Sequence, residues 1–219
     1  MTEMVKDFFT DAQINIKTLH NVLSEFLAVE KGGQKLYEKA VTLVLDSEVG
    51  TKFREFHKQT VNHQKILTEV IEQLGGNPRV MSRTAKVATK KAQGLLATMG
   101  RTGITAEEAE LNAVENIVLA ETKDHADWEL IGKLARQTTD SRLREVLRPA
   151  ARIVEEEEDQ HLDWTRQKLR EMQMEALIKG GGTNKPAKTS IKMSSNGRVP
   201  GQSPPVGLGA ERNRDWIKS

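Results

Sequence analysis

The chain of 219 residues has no cysteine, and aromatic residues make up only 4% of it. Without cysteine, a disulfide framework, a thiolate zinc site, an iron–sulfur cluster and a thiol nucleophile are all excluded. Apolar runs extend to about four residues, as at 117–120, so no segment is predicted to cross a bilayer. The first residues, MTEMVKDFF, lack the basic stretch and apolar stretch of a secretory signal. We therefore expect a cytoplasmic protein with no membrane partner.

Proline and glycine are scarce except at one end of the chain. Four of the six prolines and seven of the sixteen glycines follow residue 179. Residues 179–219 carry eight Lys or Arg and two acids, a net charge of +6, whereas residues 1–178 sum to about −4. Because this end can bury little apolar surface, it is predicted to be a disordered basic tail that follows a folded domain at 1–178. Nucleic-acid binding through the tail is an alternative function, although its charge is thinly spread.

Ahead of the tail, apolar residues recur at steps of three and four, which is the period of an α-helix. Four long helices are predicted, at about 12–45, 48–74, 105–138 and 140–177. Gly-Gly-Asn-Pro at 75–78 is predicted to end the second helix. Thr105 and Glu108 have the spacing of a capping box at the start of the third. Pro149 is predicted to kink or split the fourth.

The connections between these helices differ sharply in length. A few residues join the first helix to the second and the third to the fourth, whereas about thirty separate the second from the third. Those thirty include an amphipathic stretch, roughly 81–99, which is predicted to form a short extra helix. Two helical hairpins joined by one long crossover form the ferritin-like version of a four-helix bundle. The predicted fold class is therefore all-α, with this topology.

Each long helix has an apolar stripe that is interrupted near its middle by polar residues. The interruptions are Glu30 on the first helix, Thr60 and His63 on the second, Glu121 and His125 on the third, and Glu158 and His161 on the fourth. Three buried glutamates would repel one another, and each would cost several kcal/mol if it stayed unpaired in a dry core. Carboxylate oxygens and neutral imidazole suit iron, manganese or zinc. One or two such ions are therefore the simplest compensation.

The spacing of these residues supports a site for two ions. Glu158 and His161 are three residues apart, which places both on one face of the helix. Ferritin-like di-metal proteins use one Glu from each of two helices and a Glu-x-x-His pair from each of the other two. Five of these six positions are filled here, and Thr60 stands at the sixth, where the pattern has an acid. Glu157 competes with Glu158, because it also lies one turn from His161.

Three segments are similar to known metal-binding bundles. EEEEDQHLDW at 155–164 is similar to the fourth-helix motif of bacterioferritins, AVEKGGQKLY at 28–37 to ferritin first helices, and HKQTVNHQKILTEVIEQLGGNP at 57–78 to the second helix of bacterial ferritin-like stress proteins. Over roughly residues 10–175 the chain resembles the ferritin-like superfamily, which also includes rubrerythrin. The resemblance implies redox chemistry with oxygen or peroxide, no catalytic residue beyond the metal ligands, and metal ligation by Glu30, His63, Glu121, Glu158 and His161.

Four further residues are candidates close to this site. Gln59 offers a carbonyl oxygen one turn before a predicted ligand, and His125 is predicted either to bind metal or to support a ligand. Tyr37 is predicted to hydrogen-bond a ligand carboxylate or to pack in the core. Thr60 is predicted to bond back to its own helix. The alternative function is a non-enzymatic stress or structural protein with a degraded metal site, and a homo-oligomer is expected in either case.

Overall fold

The computed structural model describes residues 14–100 and 102–180 of the chain. These residues contain no strand and form five helices: α1 (Ile16–Val41), α2 (Ser47–Gln73), α3 (Arg83–Thr98), α4 (Ala106–Gln137) and α5 (Ser141–Gly180). The all-α prediction is confirmed, and the four long helices and the short extra helix lie within a few residues of their predicted positions. None of the described helices combines the length and the apolar character that crossing a membrane requires.

The helix ends follow from local side chains that bond the free backbone groups. Thr105 accepts a hydrogen bond from the N–H of Glu108, and the Glu108 carboxylate accepts one from the N–H of Thr105. The predicted capping box at the start of α4 is therefore formed. Asp140 accepts from two N–H groups in the first turn of α5. α2 ends just before Gly75, whose φ of 81° lies in the left-handed region that favours glycine.

α5 continues unbroken through Pro149, so this helix is not split as the sequence analysis allowed. The proline is exposed, while its neighbours Leu147, Ala150 and Ala151 are buried in the core. A proline removes one backbone hydrogen bond. We attribute the continuity of the helix to the packing of these buried neighbours.

The four long helices pack around a common core, and their contacts define their directions. One end of the core is formed by Leu19, Leu74, Ala135 and Leu143. The other end is formed by Leu43, Val49, Ala113 and Met172. α1 and α5 therefore run in one direction, and α2 and α4 run in the opposite one. Since α2 and α4 are parallel, the chain between them must cross the length of the bundle.

α3 lies in this crossover and runs along α1. At its end, Asn112 of α4 donates a hydrogen bond to the carbonyl of Thr98. At Gly32 the two helices are so close that a Cβ would lie 2.6 Å from the Cβ of Ala92, so this approach requires glycine. The long crossover with an extra helix is present as predicted. The predicted tail at 179–219 lies outside the described residues, apart from the last two residues of α5.

Candidate metal centre

All five predicted metal ligands are buried, and they lie between the apolar clusters at the two ends of the core: Glu30 on α1, His63 on α2, Glu121 on α4, and Glu158 and His161 on α5. The reason is local, because each lies three or four residues from apolar side chains that the helix must bury. The polar residues that interrupt the apolar stripes are therefore buried together with them. The structure therefore brings together the five residues that were predicted to bind metal.

The ligand atoms form two sets that share Glu158. His63 Nδ1 lies 3.0 Å from Glu158 Oε1 and 3.6 Å from Glu30 Oε1. His161 Nδ1 lies 3.4 Å from the same Glu158 oxygen and 3.3 Å from Glu121 Oε2. In each set the ligand atoms are within 4.8 Å of one another. With ligand distances of about 2.0–2.2 Å, each set could hold one ion after small side-chain movements.

Although these atoms are close, their geometry does not give well-formed hydrogen bonds. The buried side-chain atoms without a hydrogen-bond partner include Glu30 Oε2, Glu121 Oε2, both Glu158 oxygens, His63 Nδ1 and His161 Nδ1. Such atoms are rare in folded proteins, because each costs the free energy of lost hydration. Lone pairs that point into a shared space are satisfied together when a cation occupies that space.

The Nε2 atoms of both histidines point away from the carboxylates and have partners of their own. Gln59 Oε1 lies 2.9 Å from His161 Nε2, and Glu157 Oε2 lies 2.7 Å from His63 Nε2. Both partner oxygens accept hydrogen bonds, so they favour a proton on Nε2. The Nδ1 lone pairs are then available to a metal ion. Gln59 therefore supports a ligand, and Glu157 does the same for the other histidine.

The pKa values show that the metal-free cluster holds additional protons. Burial, followed by the charge of Glu158, raises the pKa of both Glu30 and Glu121. Burial would also raise the pKa of Glu158, but the adjacent His161 and His63 lower it to about 2. Burial would lower the pKa of His161, but Glu121 and Glu158 raise it to about 10. A bound cation would displace these protons, so metal affinity is expected to rise with pH.

Asp124 is a buried acid of this cluster that the sequence analysis missed. Its Oδ1 has no hydrogen-bond partner. Burial raises its pKa, and the charges of Glu30, Glu158 and Glu121 raise it further. Asp124 lies three residues after Glu121, one turn along α4, and this spacing was the available signal. The cluster therefore contains four buried carboxylates.

Thr60 is buried close to this additional acid. Its hydroxyl donates a hydrogen bond to the carbonyl of Phe56, at 3.0 Å, so it bonds back to its own helix as predicted. A Cβ at Gly33 would lie 3.7 Å from Thr60 Cγ2 and 4.0 Å from Asp124 Oδ2. Thr60 and Asp124 therefore both lie next to Gly33. The acid that position 60 lacks is present nearby on another helix.

The remaining candidates lie at different distances from the cluster. Tyr37 is buried, its hydroxyl has no hydrogen-bond partner, and burial followed by the charges of nearby carboxylates raises its pKa. His125 lies away from the cluster, partly exposed, with its Nε2 2.7 Å from Asp159 Oδ1. Trp128 is buried and donates from Nε1 to Glu30 Oε1 at 2.7 Å. Trp128 therefore orients a predicted ligand.

Comparisons with family models, with curated proteins and with solved structures find no match for this chain. The kind of site is therefore inferred from the geometry of its residues alone. It is a buried carboxylate–histidine cluster that could hold a metal ion. Carboxylate oxygens combined with imidazole nitrogens suit iron, manganese and zinc.

Proposed function

We propose that this chain is a ferritin-like four-helix protein that binds one or two transition-metal ions in its core and reacts with dioxygen or hydrogen peroxide. The observation that carries the proposal is the convergence of unpartnered carboxylate oxygens and histidine Nδ1 atoms at the centre of the bundle. Two hairpins joined by a long crossover support the ferritin-like assignment. Iron is the proposed metal for redox chemistry, and manganese and zinc suit the same ligands.

Glu158 is the proposed bridge between two ions, because its Oε1 approaches both histidines. Glu30 and His63 would complete one ion's ligands, and Glu121 and His161 the other's. Gln59 and Glu157 would keep the two imidazoles neutral and correctly oriented by accepting their Nε2 protons, and Trp128 would orient Glu30.

The charge of the site also favours two ions. Two divalent ions bring four positive charges, whereas Glu30, Glu121 and Glu158 supply three negative ones. Asp124 is buried beside them and supplies the fourth. The threonine at position 60 therefore does not leave the site short of charge.

The protein's part in the chemistry is to hold the ions together in a space from which bulk water is excluded. The apolar clusters at both ends of the core provide that exclusion. Bound Fe(II) would supply the electrons: two Fe(II) would together provide the two electrons that, with two protons, reduce one H₂O₂ to two H₂O.

Metal titration of the metal-stripped, full-length protein tests this proposal. We expect up to two Co(II) or, without oxygen, Fe(II) per chain by calorimetry and elemental analysis. Glu158→Gln keeps the side-chain shape but removes the shared charge, and should weaken binding at both sites at least about tenfold. Glu110→Gln is the matched control, since Glu110 is a buried glutamate of α4 that bonds the N–H groups of Leu45 and Asp46. Wild-type affinity in Glu158→Gln would refute the proposal.

The second candidate is a non-enzymatic stress or structural protein with a degraded site. Thr60 favours it, because its hydroxyl is bonded to its own helix and brings no charge. The same titration separates the two functions, since this candidate predicts one ion or none per chain and no oxidation of Fe(II). Nucleic-acid binding through the tail concerns residues outside the described part of the chain and stays a prediction.

A further inference from the structure

A groove of about 880 Å³ lies between α1, α3 and α4. α3 packs along α1 but has little contact with α4, which leaves the groove open. Most of the surface that lines it is apolar and comes from residues that include Val29 and Leu36 of α1, Ala88, Ala92 and Leu95 of α3, and Leu119 and Ala120 of α4. Two acids and two lysines also line it: Glu25, Glu115, Lys91 and Lys123. Its volume is in the range of sites that take up small molecules.

Only a thin wall separates this groove from the metal cluster. Gly33 lines the groove, and its Cβ position lies within 4.0 Å of both Thr60 Cγ2 and Asp124 Oδ2. Ala120 also lines the groove and directly precedes Glu121 in α4. Glycine, the smallest residue, therefore forms the wall between the groove and Asp124.

The opposite face of the cluster, between α2 and α5, has a different character. There Gln59 and Glu157 cover the Nε2 atoms of the two histidines. The Glu157 side chain is 30% exposed. Glu155 and Asp159 instead point towards α4, where they pair with Arg136 and His125. The face between α2 and α5 is therefore polar, with one partly exposed carboxylate. The groove is mostly apolar, and its two acids and two lysines balance in charge. It therefore compensates a hydrated cation poorly for its lost water and admits a small neutral molecule.

We propose that the groove is the route by which a small uncharged oxidant, dioxygen or hydrogen peroxide, reaches the metal centre, and that Gly33 keeps the route open. This inference rests on the proposed function. An alanine at Gly33 fits, because 3.7 and 4.0 Å are ordinary van der Waals distances, but its methyl group fills the gap that faces Thr60 and Asp124.

Trp128 allows oxidant access to be measured without metal. Its Nε1 donates to Glu30, and its ring lies 6.2 Å from the ring of His63, so it reports from the site itself. With Trp164→Phe and Trp216→Phe, Trp128 becomes the single tryptophan of the chain. Dissolved O₂ then quenches its fluorescence, and intensity and lifetime together give the bimolecular quenching constant.

Gly33→Ala in this background is expected to lower the O₂ quenching constant several-fold, because the added methyl group occupies the gap. Gly94→Ala is the matched control. Gly94 lines the same groove from α3, and a Cβ there meets nothing within 4 Å. Both substitutions bring the same gain in helix propensity. Unchanged quenching in Gly33→Ala, or an equal decrease in Gly94→Ala, overturns the proposal.

A second measurement uses the Fe(II)-loaded protein. Gly33→Ala should slow oxidation of Fe(II) by the natural oxidant by the same factor as it lowers quenching, while Co(II) affinity stays unchanged. Parallel reactions with O₂ and with H₂O₂ identify which oxidant uses the route, and normal rates with both overturn the proposal. If the parent protein binds no Co(II), the proposed function fails. Normal Co(II) binding with unaltered quenching removes only the route, so the two failures are distinguishable.

Discussion

Single buried acids determine the energetics of this centre. Burial is the largest cause of the raised pKa values of Glu30, Glu121 and Asp124. Each of these carboxylates is unfavourable as an isolated charge in the core and favourable beside a cation. Removing one of them should therefore stabilise the metal-free protein and destabilise the metal-bound protein. Removing a residue that serves only in packing should instead destabilise both forms.

Asp124→Asn tests that opposition at the residue absent from the sequence prediction. At pH 8 the metal-free variant should be more stable than wild type by about 1–3 kcal/mol, because no charge needs to be buried or neutralised. Co(II) stoichiometry should fall from two per chain towards one, since the fourth negative charge is lost. Urea unfolding and calorimetric titration measure the two effects.

Asp127→Asn is the control for this prediction. Asp127 lies on the same helix and is buried, but it pairs with Lys123, whereas Asp124 Oδ1 has no hydrogen-bond partner. Its substitution should leave Co(II) stoichiometry unchanged. If Asp124→Asn destabilises the metal-free protein and still binds two ions, Asp124 has a packing role and the charge balance proposed for two ions is wrong.

Among the helices, most positions were predictable because their signals are local. Thr105 and Glu108 define the start of α4, and Gly75 follows the end of α2, through bonds and angles within a few residues. Whether α5 would break at Pro149 depended on core packing, which is a tertiary effect. Sequence therefore predicted the existence of the helices better than their continuity.

The ligand positions on α4 were likewise predicted in part by local spacing and decided in part by tertiary packing. Steps of four and three residues imply an exact seven-residue repeat, whereas a straight α-helix drifts by about 20° per repeat. On α4 the rule correctly places Glu121 and Trp128 inside, but it selects His125, which is partly exposed. Asp124 is buried instead, because α4 packs against both α1 and α5 and buries a wider face than one stripe. Such a face is determined by its neighbours and is not visible in one helix alone.

The close contact between α1 and α3 gives a prediction at the level of helices. Gly32→Ala should destabilise the protein, although alanine favours a helix by about 1 kcal/mol. The reason is that the new Cβ would lie 2.6 Å from the Cβ of Ala92, so one helix must move. Ala92→Gly in the same chain should restore stability, and thermal unfolding of the two single variants and the double variant measures the coupling.

Gly33→Ala serves as the comparison, because the adjacent glycine has room for a methyl group. It should be at least as stable as wild type. If the stability changes of Gly32→Ala and Ala92→Gly simply add in the double variant, the two helices do not meet at this point.

For the whole molecule, metal-free stability depends on pH through opposing groups. The pKa of His161 is raised to about 10, so its stabilising contribution is complete below its ordinary value of 6.5 and is lost as pH rises through about 10. The pKa of Glu158 is lowered to about 2, so its contribution is present above 4.5 and is lost as pH falls through about 2. Glu30, Glu121 and Asp124 have raised pKa values and destabilise the folded state increasingly as pH rises.

These pKa shifts predict that the metal-free protein loses stability between pH 6 and pH 9. Over the lower part of that range, the stabilisation by a fixed concentration of free Zn(II) should increase. The metal displaces protons from the same groups, so its apparent affinity rises with pH. Each tenfold gain in affinity adds about 1.4 kcal/mol once the site is nearly saturated. Calorimetric Tm values at pH 6, 7 and 8, with buffered Zn(II) and without it, measure both trends. Glu158→Gln should lose most of the Zn(II)-dependent shift and Glu110→Gln should keep it, whereas a shift that is independent of pH would mean that Zn(II) binds elsewhere on the chain.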